Sequence, residues 1–396
     1  MQSALAIDQL VRQPVARKTR AEELQRQIEK IFRRLRAAVI FAGDKSRAGA
    51  VLYPSSNPRS WKSYEPVARD IAGALARLGC RNVEVMPEDM HLPALLRDAR
   101  THIAWLNTGG VQGYSSVAHA PSMLEMLGVP YVGHDPLIAA ILDNKHVFKR
   151  QIMAAGLPTA PFAVWHPGCY ARIEDDPAFK RAFAGWRGAY VVKPVSGRAS
   201  LNVNYVENFE GLQQVAEDVF AITENHVLVE AYLAGREYCV AVCGPVIARG
   251  GRIERLPHPF AFGALERAFD EGEKIFTSMD VKPITSCRAW PLEATADAEV
   301  LGRLTRLARD VYVSLGLQTL VRLDVRADEK GDLFVLEANP KPDLKAPTPE
   351  QTSLISIGLA VENMTYDDLI LSILADRIDT LFAQNRGSAD RLKALI

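Results

Sequence analysis

The chain lacks most of the features that announce a chemistry on their own. Its five cysteines, Cys80, Cys169, Cys239, Cys243 and Cys287, form no CxxC pair. Thiols so sparse exclude a disulfide scaffold and point to a reducing cytoplasm. The eight histidines show neither HxxH nor HExxH spacing, which argues against catalytic zinc. No GxGxxG and no GxxxxGK[ST] occurs, so neither a Rossmann dinucleotide site nor a P-loop is expected. There is no GxSxG elbow from which a Ser-His-Asp hydrolase would start. No apolar run approaches the ~18 residues of a membrane span, and the N-terminus lacks the order of a secretion signal. Lys plus Arg equals Asp plus Glu at 47 each, so no global field favours nucleic acid or a membrane. Any anionic ligand must be held by a local site.

What is present is ordinary globular material: 396 residues, 48% apolar and 24% charged, enough for about two or three domains. Residues Lys18–Arg36 carry Leu24, Ile28, Ile31 and Leu35 at helical spacing, with Thr19 and Glu22 placed as a capping box. The glutamates among its arginines favour a helix packed on the body over a nucleic-acid arm. From Ala37 the pattern alternates. Ala37–Phe41, Asn82–Pro87, His102–Asn107 and Val129–Gly133 read as short strands, with helices such as Tyr64–Leu78 and Ser116–Leu127 between them. Such alternation predicts a parallel sheet covered by helices. "LNTGG" (Leu106–Gly110) follows a strand, where ligands often sit in such sheets. A helical region Pro136–Ala155 stops at Gly156 and Pro158. From Tyr190 the texture changes to hairpins, and helices are expected at Ala298–Leu315 and Tyr366–Phe382. Gly244–Trp290 has no clear period and reads as irregular strands with a mobile loop.

The most informative stretch is "LVRLDVRADEKGDLFVLEANP", Leu320–Pro340. With a four-residue turn Asp328–Gly331, Ala327 pairs with Asp332 and Arg322 with Glu337. That register puts Arg322, Asp324, Glu337 and Asn339 on one face, opposite Val321, Leu323 and Val325. Leu333 and Val335 fall on the polar side with Glu337. A solvated face with a cross-strand ion pair accounts for this pattern. So does a magnesium and phosphate site, in which two carboxylates and an amide supply hard oxygen ligands and Arg322 faces a phosphoryl group. Other pieces add weight. Lys193 ends the strand of "VVKPVSGRAS", before a Gly/Ser turn able to offer N–H groups to phosphate. In "VLVEAYLAGREY" Glu230 and Glu237 stand at strand ends, and Lys145 lies on the helix of "LDNKHVFK". Cys239 and Cys243, on one strand face, read as core.

Taken in order, "LDNKHVFKRQIMAAGLPTAPF", "VVKP", "VLVEAYLAGRE" and "VRLDVR…LFVLEANP" resemble the ATP-grasp family, above all the D-alanine–D-alanine ligases. The resemblance runs from about Met123 to Phe162 and returns at Val191–Val203, Val227–Val240 and Leu317–Pro340. It implies an α/β (α+β) ATP-grasp fold: an N-terminal parallel α/β domain (37–135) behind a helical extension (1–36). Central (136–233) and C-terminal (234–396) subdomains would then clamp ATP. The implied activity is ATP-dependent joining of a small-molecule carboxylate to an amine through an acyl phosphate, with Mg²⁺, typically two ions, or Mn²⁺. Lys145 and Lys193 would contact the ATP phosphates. Glu230, with the backbone of Ala231 and Leu233, would hold the adenine, and Glu237 the ribose. Lys274 would reach the outer phosphates from a loop. Asp324, Glu337 and Asn339 would bind the metal, Arg322 would stabilise the transferring phosphoryl, and Ser200, in the glycine-rich turn, would count with Arg322 and Lys274 among the catalytic residues. The resembled ligases are commonly homodimers; no nucleic-acid or membrane partner is implied.

Departures from the family pattern fall on the substrate side. "LNTGGVQGYSSVAHA" has no acidic residue where the family has a glutamate for the first amino acid. Ala199 replaces a serine, Ile275 a loop tyrosine, and "PKPDLKAPT" a Ser-Pro-Gly-Met-Thr type run, with Asp343 in the glycine position and Thr348 near a substrate-binding serine. Such changes spare the nucleotide machinery and alter the acceptor pocket, where Lys341, Lys345 and Arg198 are candidates to receive a carboxylate.

Overall fold

The computed structural model describes residues 14–43, 48–49, 51–52, 63–197, 200–276, 284–285, 287–348, 352–384 and 387–396. Helix α1 (Pro14–Phe32) comes first. It begins upstream of Thr19, so Thr19 and Glu22 lie inside the helix and form no capping box; a proline suits the first helical position because its missing N–H would be unpaired there anyway. Its predicted face is correct. Leu24, Ile28, Ile31 and the following Leu35 are buried in one cluster with β1 (Arg36–Ala42).

Parallel pairing joins β1 to β2 (Asn82–Glu88) and β3 (Ile103–Asn107), and β3 to β4 (Tyr131–Val132), in the order β2-β1-β3-β4. Helices α2 (Glu65–Arg77), α3 (Leu92–Asp98) and α4 (His119–Met126) lie between successive strands, the crossovers that parallel strands require. Ala38, Val39 and Ile40 are fully buried at its centre, as expected of a sheet covered on both faces.

The helical region expected over Pro136–Ala155 consists of two helices, α5 (Pro136–Asp143) and α6 (Lys145–Ala154). Asn144 breaks it by taking an extended conformation, φ −94° and ψ 102°. Its Oδ1 accepts from the Val147 N–H at 3.1 Å, an N-cap that satisfies one of the orphan donors of α6. A second sheet follows, of β5 (Phe162–Trp165), β6 (Tyr190–Pro194), β7 (Asn204–Val206) and β8 (Val227–Ala231), antiparallel in the order β5-β8-β6-β7. It packs with α7 (Pro177–Ala182) and α8 (Leu212–Thr223) around Trp165, Phe179, Tyr190 and Val219.

The third sheet contains β9 (Glu237–Cys243), β12 (Phe260–Arg267), β13 (Ala289–Pro291), β14 (Val321–Ala327) and β15 (Leu333–Asn339), in the order β13-β12-β9-β14-β15. A separate hairpin joins β10 (Val246–Arg249) to β11 (Arg252–Arg255). The described residues of 244–290 are therefore more regular than their composition suggests, while 277–283 and 286, on which part of the expected mobile loop falls, lie outside the described residues. The overlooked signal is Gly250-Gly251, both at positive φ, the dipeptide of a two-residue hairpin. Helix α9 (Ala298–Ser314) packs on β9 and β12, α10 (Tyr366–Gln384) on β10 and α2, and α11 (Asp390–Lys393) follows.

The β14–β15 hairpin departs from the expected register twice. The turn is longer, with the Asp328 N–H bonded to Asp332 O at 2.9 Å, so Ala327 opposes Leu333. A β-bulge then shifts the ladder between Asp324 and Val325, giving Asp324↔Glu337 and Arg322↔Asn339. Since side chains alternate with period two, one extra residue moves everything beyond it to the other face. Leu333 and Val335 thereby join Val321, Leu323 and Val325 in the core, instead of sharing a face with Glu337 as an unbroken strand requires. Glu337 and Asn339 still meet Asp324 and Arg322.

Ile31→Ala tests whether α1 belongs to the folded body. Ile31 is fully buried, so truncation is expected to cost about 2–5 kcal/mol, read as a lower urea midpoint. An unchanged midpoint would mean that α1 contributes nothing to the fold.

Candidate active site

The second and third sheets, α5, α6 and the start of α2 enclose a cavity of about 630 Å³. All the candidate nucleotide, metal and catalytic residues line it except Lys274: Lys145, Lys193, Ser200, Glu230, Ala231, Leu233, Glu237, Arg322, Asp324, Glu337 and Asn339. The solvated-face alternative for the hairpin is excluded by burial, because Asp324 is 6% exposed and its face looks into the cavity. Lys274 is itself exposed, while Ile275 and Phe276 beside it line the wall. "LNTGG" does not line the cavity; its Ser116-bonded loop closes on itself, with Ser116 Oγ donating to Gly109 O at 3.2 Å. Ser63, Tyr64, Pro66 and Val67 provide the wall contributed by the N-terminal region.

Three groups of buried or half-buried charges organise the cavity. In the first, Glu230 of β8 receives the ammonium groups of Lys193 and Lys149, one on each carboxylate oxygen. Lys149 is completely buried and also donates to Thr159 Oγ1 at 2.6 Å, which in turn donates to Val335 O of β15 at 2.7 Å. Burial pushes Lys149 below the ordinary lysine range, against the pull of Glu230. Burial also opposes ionisation of Glu230, but the two lysines outweigh it and hold the carboxyl low. Lys149 escaped the sequence reading. Its available signal was position: four residues after Lys145, it lies on the same helical face.

In the second group Lys145 Nζ meets Glu337 Oε2 at 3.2 Å and donates to Gly197 O at 3.0 Å. The helix break orients it, for the Lys145 N–H is tied to Val195 O at 2.8 Å, next to the phosphate-type turn. Asn339 Nδ2 donates to Glu337 Oε1 at 3.3 Å. Burial pushes the Glu337 carboxyl up, but Lys145, Lys193 and Arg322 outweigh it and bring it to about 2.

The third group contains two arginines that the sequence reading did not place in the site. Asp324 accepts from Arg322 Nε at 2.8 Å and Nη2 at 3.1 Å, and from Arg267 Nη1 at 3.2 Å. Glu237 lies between Arg267 Nη2 at 2.6 Å and Arg326 Nη1 at 3.3 Å. Arg326 stacks 4.5 Å from the Tyr232 ring centroid, donates to Tyr232 Oη at 2.8 Å, and holds Lys274 O at 3.2 Å. This last bond anchors the loop that carries Lys274. Gly235, between Glu230 and Glu237, has no room for a side chain: a Cβ there would lie 2.4 Å from Asp328 O.

The donor set fits magnesium. Asp324, Glu337 and Asn339 offer only oxygen ligands, few enough to leave places for water and phosphate oxygens, as Mg²⁺ prefers. Among the described residues no three His, Cys, Asp or Glu side chains form a metal cluster by themselves. Charge balance points the same way. Among the described residues seven basic side chains line the cavity (Lys145, Lys193, Arg267, Arg322, Arg326, Lys341, Lys345) against six acidic ones (Asp143, Glu230, Glu237, Asp324, Glu337, Asp343). A triphosphate entering so balanced a cavity needs further positive charge.

At the far end Lys341 lies 3.3 Å from the Tyr64 ring centroid, and Asp343, Lys345, Thr352 and Leu354 complete the wall. Thr348 is exposed and absent from the lining; Arg198 and Ala199 lie outside the described residues. Cys239 and Cys243 are buried, and burial pushes the Cys239 thiol up to about 11, in keeping with core positions. No helix among the described residues is long and apolar enough to cross a membrane.

Two antiparallel sheets closing on such a cavity, behind a parallel α/β domain, define an ATP-grasp protein. Residues 152–375 match the family model described as D-ala D-ala ligase C-terminus, and the chain belongs to that family of ATP-grasp ligases. It is 29% identical to the uncharacterized protein y4sG of Sinorhizobium fredii over 67% of this chain and 71% of that protein. It is 27% identical to a D-alanine–D-alanine ligase of Synechococcus, covering 88% of this chain and 95% of the relative. Among solved structures, the D-alanine–D-alanine ligase of Bacillus anthracis complexed with ATP superposes with a TM-score of 0.59 at 19% identity, over 89% of this chain and 99% of that one. The VanG D-Ala:D-Ser ligase of Enterococcus faecalis gives 0.61 at 16% identity, over 87% and 99%.

Two variants test the charge groups. Glu230→Gln leaves Lys149 and Lys193 buried without their counter-charge and is expected to lower stability by about 3–5 kcal/mol, measured by urea unfolding. For Glu337 the folded carboxyl lies at about 2 against an ordinary 4.5. Its stabilisation is therefore complete above about pH 5 and is lost as the pH falls toward 2. Glu337→Gln is expected to flatten the decline of the unfolding midpoint between about pH 5 and pH 3; an acid limb identical to wild type would contradict the assignment.

Proposed function

We propose that the protein is an ATP-dependent carboxylate–amine ligase that forms an amide or peptide bond through an acyl phosphate, with an acceptor pocket unlike that of D-alanine–D-alanine ligases. The observation that carries this reading is the convergence of Arg322, Asp324, Glu337 and Asn339 with Lys145 and Lys193 in one cavity. ATP binding alone does not need an arginine beside the metal ligands; phosphoryl transfer does. Lys145 and Lys193 hold the phosphates, Glu230 and the adjoining backbone the adenine, Glu237 the ribose, and Lys274 approaches from its loop. Asp324, Glu337 and Asn339 hold Mg²⁺, which supplies neutralisation of the phosphate charge.

The chemistry requires such a site because a carboxylate is a poor electrophile. Its oxygen attacks the γ-phosphorus of ATP, ADP leaves, and an acyl phosphate forms. The amine then attacks the acyl carbon, the C–N bond forms and phosphate departs. Arg322 neutralises charge first on the transferring phosphoryl and then on the tetrahedral intermediate. A dry cavity protects the acyl phosphate from hydrolysis. At the acceptor end Asp343 and Lys345 stand where the family carries small neutral residues, and they support a substrate other than D-alanine. A site that pairs a polar group of its own substrate strongly rejects a molecule lacking it.

A screen of amino acid pairs for ATP-dependent phosphate release, with mass spectrometry of the product, tests the activity. Phosphate and ADP are expected only when both an acid and an amine are present; a stable phosphorylated product without ligation would instead mark a small-molecule kinase. Arg322→Ala is expected to lower kcat by about 100-fold or more while ATP affinity stays within about threefold. Unchanged turnover would remove Arg322 from the mechanism.

A further inference from the structure

Arg267 ends β12 opposite Glu237 of β9 and lines the cavity at 6% exposure. Its guanidinium reaches two acids at once: Nη2 meets Glu237 Oε1 at 2.6 Å and Nη1 meets Asp324 Oδ2 at 3.2 Å. Phe276 backs it, with the ring centroid 4.9 Å away. The other arginines grip one acid each, Arg322 on Asp324 and Arg326 on Glu237. Among the described residues Arg267 is the one side chain bonded to both. A guanidinium is planar and rigid, so its two donors fix the separation of the groups they hold. An ammonium is a point charge and cannot do so.

We propose that Arg267 is a positioning residue that spaces Glu237 and Asp324, coupling recognition of the nucleotide's ribose to binding of the metal–phosphate end. The proposal rests on the ligase reading for the roles of those two acids. It adds that neither acid is placed independently: the sheet carries them on different strands, and Arg267 makes them one unit. Loss of the guanidinium therefore disturbs two subsites together, although neither contains Arg267.

Calorimetry on the full-length chain tests this with ATP and 2′,3′-dideoxy-ATP, each with and without magnesium chloride. Two ratios are read: the affinity gained from the ribose hydroxyls and the affinity gained from magnesium. Arg267→Gln is expected to reduce both ratios together, by about fivefold or more each. Arg267→Lys keeps the charge, and therefore folding, but reaches a single acid; it is expected to restore no more than one ratio. Thermal unfolding of each variant separates positioning from structure. A variant that loses stability yet keeps both ratios overturns the proposal, as does full recovery of both in Arg267→Lys. Failure of the wild-type chain to bind magnesium–ATP sinks the ligase reading and this proposal with it, whereas unchanged ratios sink the proposal alone.

Discussion

Charge of both signs buried between two sheets is the constraint on which the site depends. A carboxylate withdrawn from water is tolerated only when a cation and good hydrogen bonds replace its hydration. Glu230, Glu237, Asp324 and Glu337 each meet that condition with at least one lysine or arginine. The cations come from α6, β6, β12 and β14, so the pairs are also ties between elements distant in sequence. The same compensation leaves the cavity close to neutral and its charged groups preorganised.

The ties also join the two sheets. Lys149 reaches β8 through Glu230 and β15 through the hydroxyl of Thr159. One fully buried ammonium thus fixes β8 to the strand that carries Glu337 and Asn339. Arg326 performs a similar task at the entrance, where it links Glu237, Tyr232 and the backbone of Lys274. Catalytic geometry here is a property of the charge network as much as of the backbone.

Much of this was legible in the sequence, for identifiable reasons. The parallel sheet followed from alternating short apolar runs, and the site face of β14 from a strict period of two. Lys193, Glu230 and Glu237 stood at strand ends, where side chains point into clefts, whereas Lys145, read within a helix, was marked out only by the family resemblance. Arg267, Arg326 and Lys149 were not legible, because nothing local distinguishes a buried arginine in "LERAF" from a surface one; only the tertiary partners do. The break at Asn144 was hidden because asparagine disrupts a helix only when it caps the next one. The bulge was hidden because Leu333, Val335 and Glu337 share a parity in sequence that they do not share in space.

That bulge has a bearing on how the chain can vary in length. Residues added or lost in the Asp328–Asp332 loop change only an exposed connection and leave both ladders intact. A single residue gained or lost between Leu333 and Glu337 would instead turn two core side chains outward or withdraw Glu337 and Asn339 from the cleft. Natural insertions in this hairpin should therefore collect at its tip, and an alignment that opens a gap beside Leu336 would be matching cavity-lining residues to core residues.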